Sequence, residues 1–274
     1  MGLCFPQIMH GLVPTTVPLL EKMRLAGQMG YHGLGVAVWD LESFKEQQGD
    51  LAQIKALSQQ LGLPVTEFCC IVDGWADPNQ PARQQTTDRF GSAVDLAHAA
   101  GCRTVSIGVP LQSTDLAQTA AAFCRLAEYT RQLDMQLGLE FVGNARQINS
   151  VAAAWQFIES TGADNAGLII DSFHFFAGPS RLEDLQTVPP SRIFAVHLAD
   201  APANPPDPAL DADRSMPGEG QLPLVPFVAA LAGQGYDGYW HLECIQPRDF
   251  ADDFTQVAQR GYRAITQVVE AATH

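Results

Sequence analysis

The sequence predicts an α/β fold, a closed (β/α)8 TIM barrel in which residues 1–274 form one domain. Three observations carry that prediction. Short apolar strands alternate with amphipathic helices from one end of the chain to the other. Glycines at 62, 101, 162 and 233 mark helix ends ahead of strands. No low-complexity linker interrupts the eight repeats. The alternative, an open doubly wound sheet, usually carries a Gly-rich phosphate turn after its first strand, and this sequence has none there.

The elements follow in order. Residues 2–8 form a weak first strand, followed by a helix over 17–29. Residues 33–39 are the second strand, with a helix over 50–61, and 64–71 are the third. A polar loop over 73–85 leads into a helix that ends at Ala100-Gly101. Residues 103–108 and 136–141 are strands four and five, with helices over 114–133 and 150–160. Leu168, Ile169 and Ile170 show no polar alternation, so the sixth strand is buried on both faces and ends in Asp171. Residues 192–198 are the seventh strand; a Pro/Asp-rich insertion over 200–220 and a helix over 224–233 follow. Residues 239–245 are the eighth strand, and an amphipathic helix over 250–271 closes the fold.

Composition excludes several classes of function. A formal net charge of −14 argues against a nucleic-acid groove or an anionic membrane surface. No apolar run approaches the roughly 18–20 residues needed to span a bilayer. The three lysines, Lys22, Lys45 and Lys55, all lie in the first quarter, which closes any mechanism needing a late Schiff-base lysine. The six cysteines include no C-x-x-C pair, and vicinal Cys69-Cys70 reads as strand packing in a reducing cytoplasm. The opening residues lack a basic n-region and a long apolar h-region, so no secretory signal and a cytoplasmic location are expected.

In such a barrel the strand C-termini carry the chemistry. Those ends hold Glu140, Asp171, His197 and Glu243 on strands five to eight. One strand-end carboxylate commonly serves only to cap a helix. Four potential ligands on consecutive strand ends are not explained that way, because three carboxylates so close cannot all ionise without a cation. Arg214 is the one basic residue obviously placed to help, and a divalent metal is the simplest neutraliser. His241 alternates onto the same face as Glu243 and reads as support or packing; Glu67 points into the barrel with no role assigned.

The segments Leu139-Glu-Phe-Val-Gly143, Asp171-Ser-Phe-His174, His197-Leu-Ala-Asp200 and Asp213-Arg-Ser-Met-Pro-Gly-Glu-Gly220 resemble the xylose-isomerase-like TIM-barrel superfamily. Gly235-Tyr-Asp-Gly before the last Glu adds to the match, which is dense over 135–245. Within the superfamily the sequence is most similar to the inosose (2-keto-myo-inositol) isomerase branch of sugar isomerases and epimerases. The resemblance implies that Glu140, Asp171, His197 and Glu243 bind one divalent metal and that His174 and Arg214 hold the substrate. Asn144 and Phe176 stand where that branch commonly has histidines.

The activity so implied is isomerisation or epimerisation of a small polyol or ketose substrate. A proton is taken from the carbon beside the carbonyl, with Glu140 and Glu243 as the acid/base pair, about 135° apart around the mouth by simple barrel geometry. The enediolate is stabilised by Mn2+, Mg2+, Co2+ or Zn2+. A keto-cyclitol or ring-acid dehydratase begins with the same abstraction and is the alternative. A DNA-repair endonuclease on this barrel needs further histidines, and Cys69, Ser106 and Ser215 occupy those places. A homo-oligomer is compatible with the acidic surface.

Overall fold

The computed structural model describes residues 2–5, 17–70, 74–202, 211–244 and 254–273. Parts of the expected first and third strands, polar loop, insertion, eighth strand and closing helix lie outside those residues.

Eight parallel strands close into a barrel in sequence order. They are β1 (Gly2–Phe5), β2 (Gly33–Ala37), β3 (Val65–Cys69), β4 (Thr104–Gly108), β5 (Gln136–Glu140), β6 (Ala166–Asp171), β7 (Ile193–Leu198) and β8 (Tyr239–Leu242). The seam is made by β1 pairing with β8, with Gly2 opposite Tyr239 and Cys4 opposite His241.

Around the barrel lie α1 (Leu19–Met29), α2 (Val38–Glu46), α3 (Leu51–Leu61), α4 (Gln80–Ala99), α5 (Leu116–Gln132), α6 (Val151–Thr161), α7 (Ser172–Ala177), α8 (Leu182–Leu185), α9 (Leu224–Gly233) and α10 (Phe254–Thr273). Side chains begin several of these helices by accepting exposed backbone N–H groups: Asp50 from Ala52 N, Asp115 from Ala117 N and Gln118 N, and Ser150 from Ala153 N. Gly62 and Gly162 end α3 and α6 in the left-handed conformation that the sequence pattern predicts. Gly233 is instead the last residue of α9, and Gly235, at φ 102°, makes the left-handed turn into β8.

The second strand is shorter than expected, and the helix α2 that follows it is not among the expected elements. The second strand stops at Ala37, because the Asp40 carboxylate accepts the Ala37 N–H at 3.0 Å and opens α2 there. Asp40 is itself held by buried Lys22 at 2.7 Å. After β6, where no helix is expected, the chain makes the short helices α7 and α8.

The interior is a packed core, as the apolar strands require. The β6 residues are all buried, and Ile169 projects over Gly138 of β5, where a Cβ would sit 2.6 Å from its Cδ1. Small against large is how neighbouring strands fill the narrow barrel. In α10 the buried residues Ala258, Gly261, Ala264, Ile265, Val268 and Val269 fall on one helical stripe against the barrel.

Candidate metal centre

Inward-facing side chains at the C-terminal ends of β5–β8 meet in a small buried space. Glu140 ends β5, Asp171 ends β6, His197 lies opposite Asp171 on β7, and Glu243 follows β8 directly. All four are buried, and one potential ligand atom from each lies within 4.8 Å of the others.

The glutamates that simple geometry sets well apart turn inward onto one atom. His197 Nδ1 lies 3.2 Å from Glu140 Oε1 and 2.9 Å from Glu243 Oε2. Asp171 does two jobs. Its Oδ1 accepts the His174 N–H at 2.8 Å and starts α7, while Oδ2 accepts from Arg214 Nη1 at 2.7 Å. The capping role and the place in the cluster coexist in one side chain, because a carboxylate has two oxygens to share.

Arg214 is fully buried although it comes from the β7–α9 insertion. Its guanidinium stacks on Phe173 at 4.6 Å, and Nη1 lies 3.5 Å from Glu243 Oε2. Nη2 is 3.5 Å from His174 Nε2, so the sequence-derived pair His174 and Arg214 do stand together beside the carboxylates. A cradle not foreseen from sequence holds this insertion. Asp200 Oδ1 accepts from Ala201 N and Leu222 N, and Oδ2 accepts from Gly218 N, each at 2.8–2.9 Å. Asp200 and Ser215 also exchange both backbone hydrogen bonds, next to Arg214. Ser172 fastens the neighbouring strand ends, donating to Ala199 O at 2.7 Å and accepting from Ala199 N at 2.9 Å.

Phe176 packs against Phe175 and Phe227 of α9, which places its ring in the helix layer. Asn144 is exposed. Beneath the four-residue cluster, Glu67 of β3 is fully buried with Oε2 2.9 Å from His197 Nε2. His241 Nε2 lies 3.6 Å from the same oxygen. The signal for Glu67 in the sequence is a charge in the middle of a buried strand.

Electrostatics show how strained four carboxylates in so small a volume are. Burial pushes the Glu243 carboxyl up to about 8, with Glu140 adding to the rise against the pull of Arg214 and His197. Burial would also raise Asp171, but the Arg214 and His174 charges hold it well below the usual carboxylate range. Glu67 shows the same contest, and the charges of His197 and His241 bring it down to about 2. Burial disfavours a charged His197, yet Glu67, Glu243 and Glu140 keep it well above the ordinary imidazole range. Burial takes His241 down to about 4. Three carboxylates and one imidazole, with Glu243 Oε1 buried and without a hydrogen-bond partner, form a donor set that suits a divalent cation.

Residues 23–267 match the family described as xylose isomerase-like TIM barrel. The chain belongs to that family. It is 33% identical over 123 residues to an inosose isomerase of Halalkalibacterium halodurans, a match spanning 44% of each chain. It is 25% identical over 258 residues to a 3-dehydroshikimate dehydratase of Pseudomonas putida, covering 92% of this chain and 40% of that one. The chain thus spans less than half the length of either curated relative. Among solved structures, the IolI protein with a binding zinc atom superposes with a TM-score of 0.89 at 20% identity, covering 98% of both chains. At that identity the superposition speaks for the fold. Among the described residues, no helix is long and apolar enough to cross a membrane.

Proposed function

We propose that this protein is a divalent-metal-dependent isomerase or epimerase of a small keto-polyol, an inosose or ketose, acting in carbohydrate breakdown in the cytoplasm. One observation carries the reading: Glu140, Asp171, His197 and Glu243 present ligand atoms within 4.8 Å of one another at the mouth of the barrel. The partial similarity to inosose isomerases points to the substrate class.

In this reading the four residues hold one Mn2+, Mg2+, Co2+ or Zn2+. When bound, such an ion supplies Lewis-acid polarisation of a carbonyl and a template for the hydroxyl beside it. Glu140 and Glu243 move the proton: one carboxylate takes it from the carbon beside the carbonyl, and the other, or the same one, returns it. His174, half-buried at the start of α7, contacts a substrate oxygen. Arg214 fixes a hydroxyl while keeping its hold on Asp171. The buried walls around the site keep bulk water from competing for the proton.

A second reading has a specific observation in its favour. The dehydratase relative matches over 92% of this chain, and a dehydratase begins with the same abstraction before expelling a β-hydroxyl. One experiment separates the two. A panel of inososes, ketoses and 3-dehydroshikimate is followed by NMR in heavy water with each of the four metals. Isomerisation gives deuterium in both substrate and product, exchange that disappears in Glu140→Gln and Glu243→Gln variants. Dehydration gives an unsaturated product. Turnover without exchange and without dependence on either glutamate would sink the proton-transfer reading.

A further inference from the structure

Glu67 has no place in the mechanism above, yet it is one of the most enclosed charges in the molecule. It sits in the middle of β3, its side chain is wholly buried, and Oε2 is 2.9 Å from His197 Nε2. The other ring nitrogen of the same histidine faces Glu140 and Glu243. The imidazole is thus held from two sides, by a carboxylate beneath it and by the cluster above.

We infer that Glu67 is a positioning residue that sets the tautomer and ring orientation of His197, leaving Nδ1 to face the metal. The inference rests on the reading that His197 is a ligand. An ionised carboxylate only accepts hydrogen bonds, so the two ring nitrogens, each 2.9 Å from a carboxylate oxygen, are both placed to donate one. With Nε2–H committed to Glu67, Nδ1 is the nitrogen left to exchange its hydrogen for a cation held by the other three candidate ligands. The same bond resists a flip of the ring, which would put a carbon where Nδ1 now stands. Cost argues in the same direction. A carboxylate this deep in a barrel is expensive, and Leu or Val would fill a strand interior without that expense. His241 flanks the pair, with its ring centroid 5.4 Å from that of His197 and its Nε2 3.6 Å from Glu67 Oε2.

The test measures Zn2+ affinity by competition with a chromophoric chelator for the parent protein and for Glu67→Leu and Glu67→Gln. Nitrogen-15 shifts of histidine-labelled, zinc-loaded protein report the His197 tautomer alongside. Loss of the orienting carboxylate is expected to weaken Zn2+ binding about 10–100-fold in Glu67→Leu. The Nε2–H signature of His197 should shift in the same variant. Glu67→Gln keeps an acceptor of the same shape and is expected to lose less and to preserve the tautomer; it also keeps the test valid should the Leu variant fail to fold. Unchanged affinity and an unchanged tautomer in the variants overturn the positioning role while leaving the metal reading intact. A parent protein that binds Zn2+ with His197→Ala causing no loss overturns both.

Discussion

Removing the charge of Arg214 puts a number on how the carboxylate cluster is held. Arg214→Met keeps an unbranched apolar side chain and deletes the guanidinium that stacks on Phe173 and lies 2.7 Å from Asp171 and 3.5 Å from Glu243. Both partners of the closer pair are fully enclosed, so breaking it strands a buried carboxylate, at a cost of about 3–5 kcal/mol. With an unfolding entropy of about 2.1 cal/mol/K per residue over 274 residues, that cost lowers Tm by about 5–9 °C. The assay is thermal unfolding of parent and variant in the presence of a chelator, repeated with added Mn2+. A divalent ion supplies positive charge to the same carboxylates, so the gap should narrow when the metal is present. Arg214→Lys, which keeps the charge but loses the fork, should fall between the two. A variant that unfolds within 1 °C or so of the parent in chelator refutes the reasoning, since so small a shift matches an exposed pair and not a buried one.

Three further outcomes follow from other parts of the molecule. Asp200→Ala orphans the N–H groups of Ala201, Gly218 and Leu222, each worth about 1–3 kcal/mol if left unsatisfied, and limited proteolysis should cut the β7–α9 segment faster. Gly167→Ala sets a Cβ against the Arg192 carbonyl oxygen and the Phe194 ring, and chemical denaturation should show a loss of about 1–3 kcal/mol. The thiols of Cys70 and Cys102 are pushed by burial from 9.0 up to about 12. Above pH 9 the unfolded chain loses those protons while the folded chain keeps them, so stability falls as pH rises toward 12, by up to about 1.4 kcal/mol per pH unit for each thiol. Cys102→Ala should flatten that slope when denaturation midpoints are compared between pH 8 and pH 10.5.

The four members of the cluster were legible because position did the work. A barrel exposes its strand C-termini to one mouth, and Glu140, Asp171, His197 and Glu243 each end or follow a recognisable apolar run. Arg214 was legible as a nearby cation, but its full burial was not, since it follows from the Asp200 cradle. That cradle is built from backbone N–H groups, which every residue but proline carries, so no side-chain pattern announces it. Glu67 was visible as an inward-facing charge on β3, while its partner lies 130 residues further along the chain. Strand alternation tells which way a side chain points and not which neighbour it meets. The helix α2, absent from the expected elements, was hidden for a related reason: Asp40 reaches back to Ala37 from inside the helix, with no Ser, Thr, Asp or Asn in the usual capping place.

The seam between β1 and β8 has a consequence for how the protein is made. It joins the strand that leaves the ribosome first to the one that leaves last, the longest wait any pair of strands in this chain has to bear. Glu243 follows β8, so a nascent chain can gather Glu140, Asp171 and His197 and still lack the fourth member. Closing the barrel and bringing Glu243 to the other three side chains are therefore a single late event.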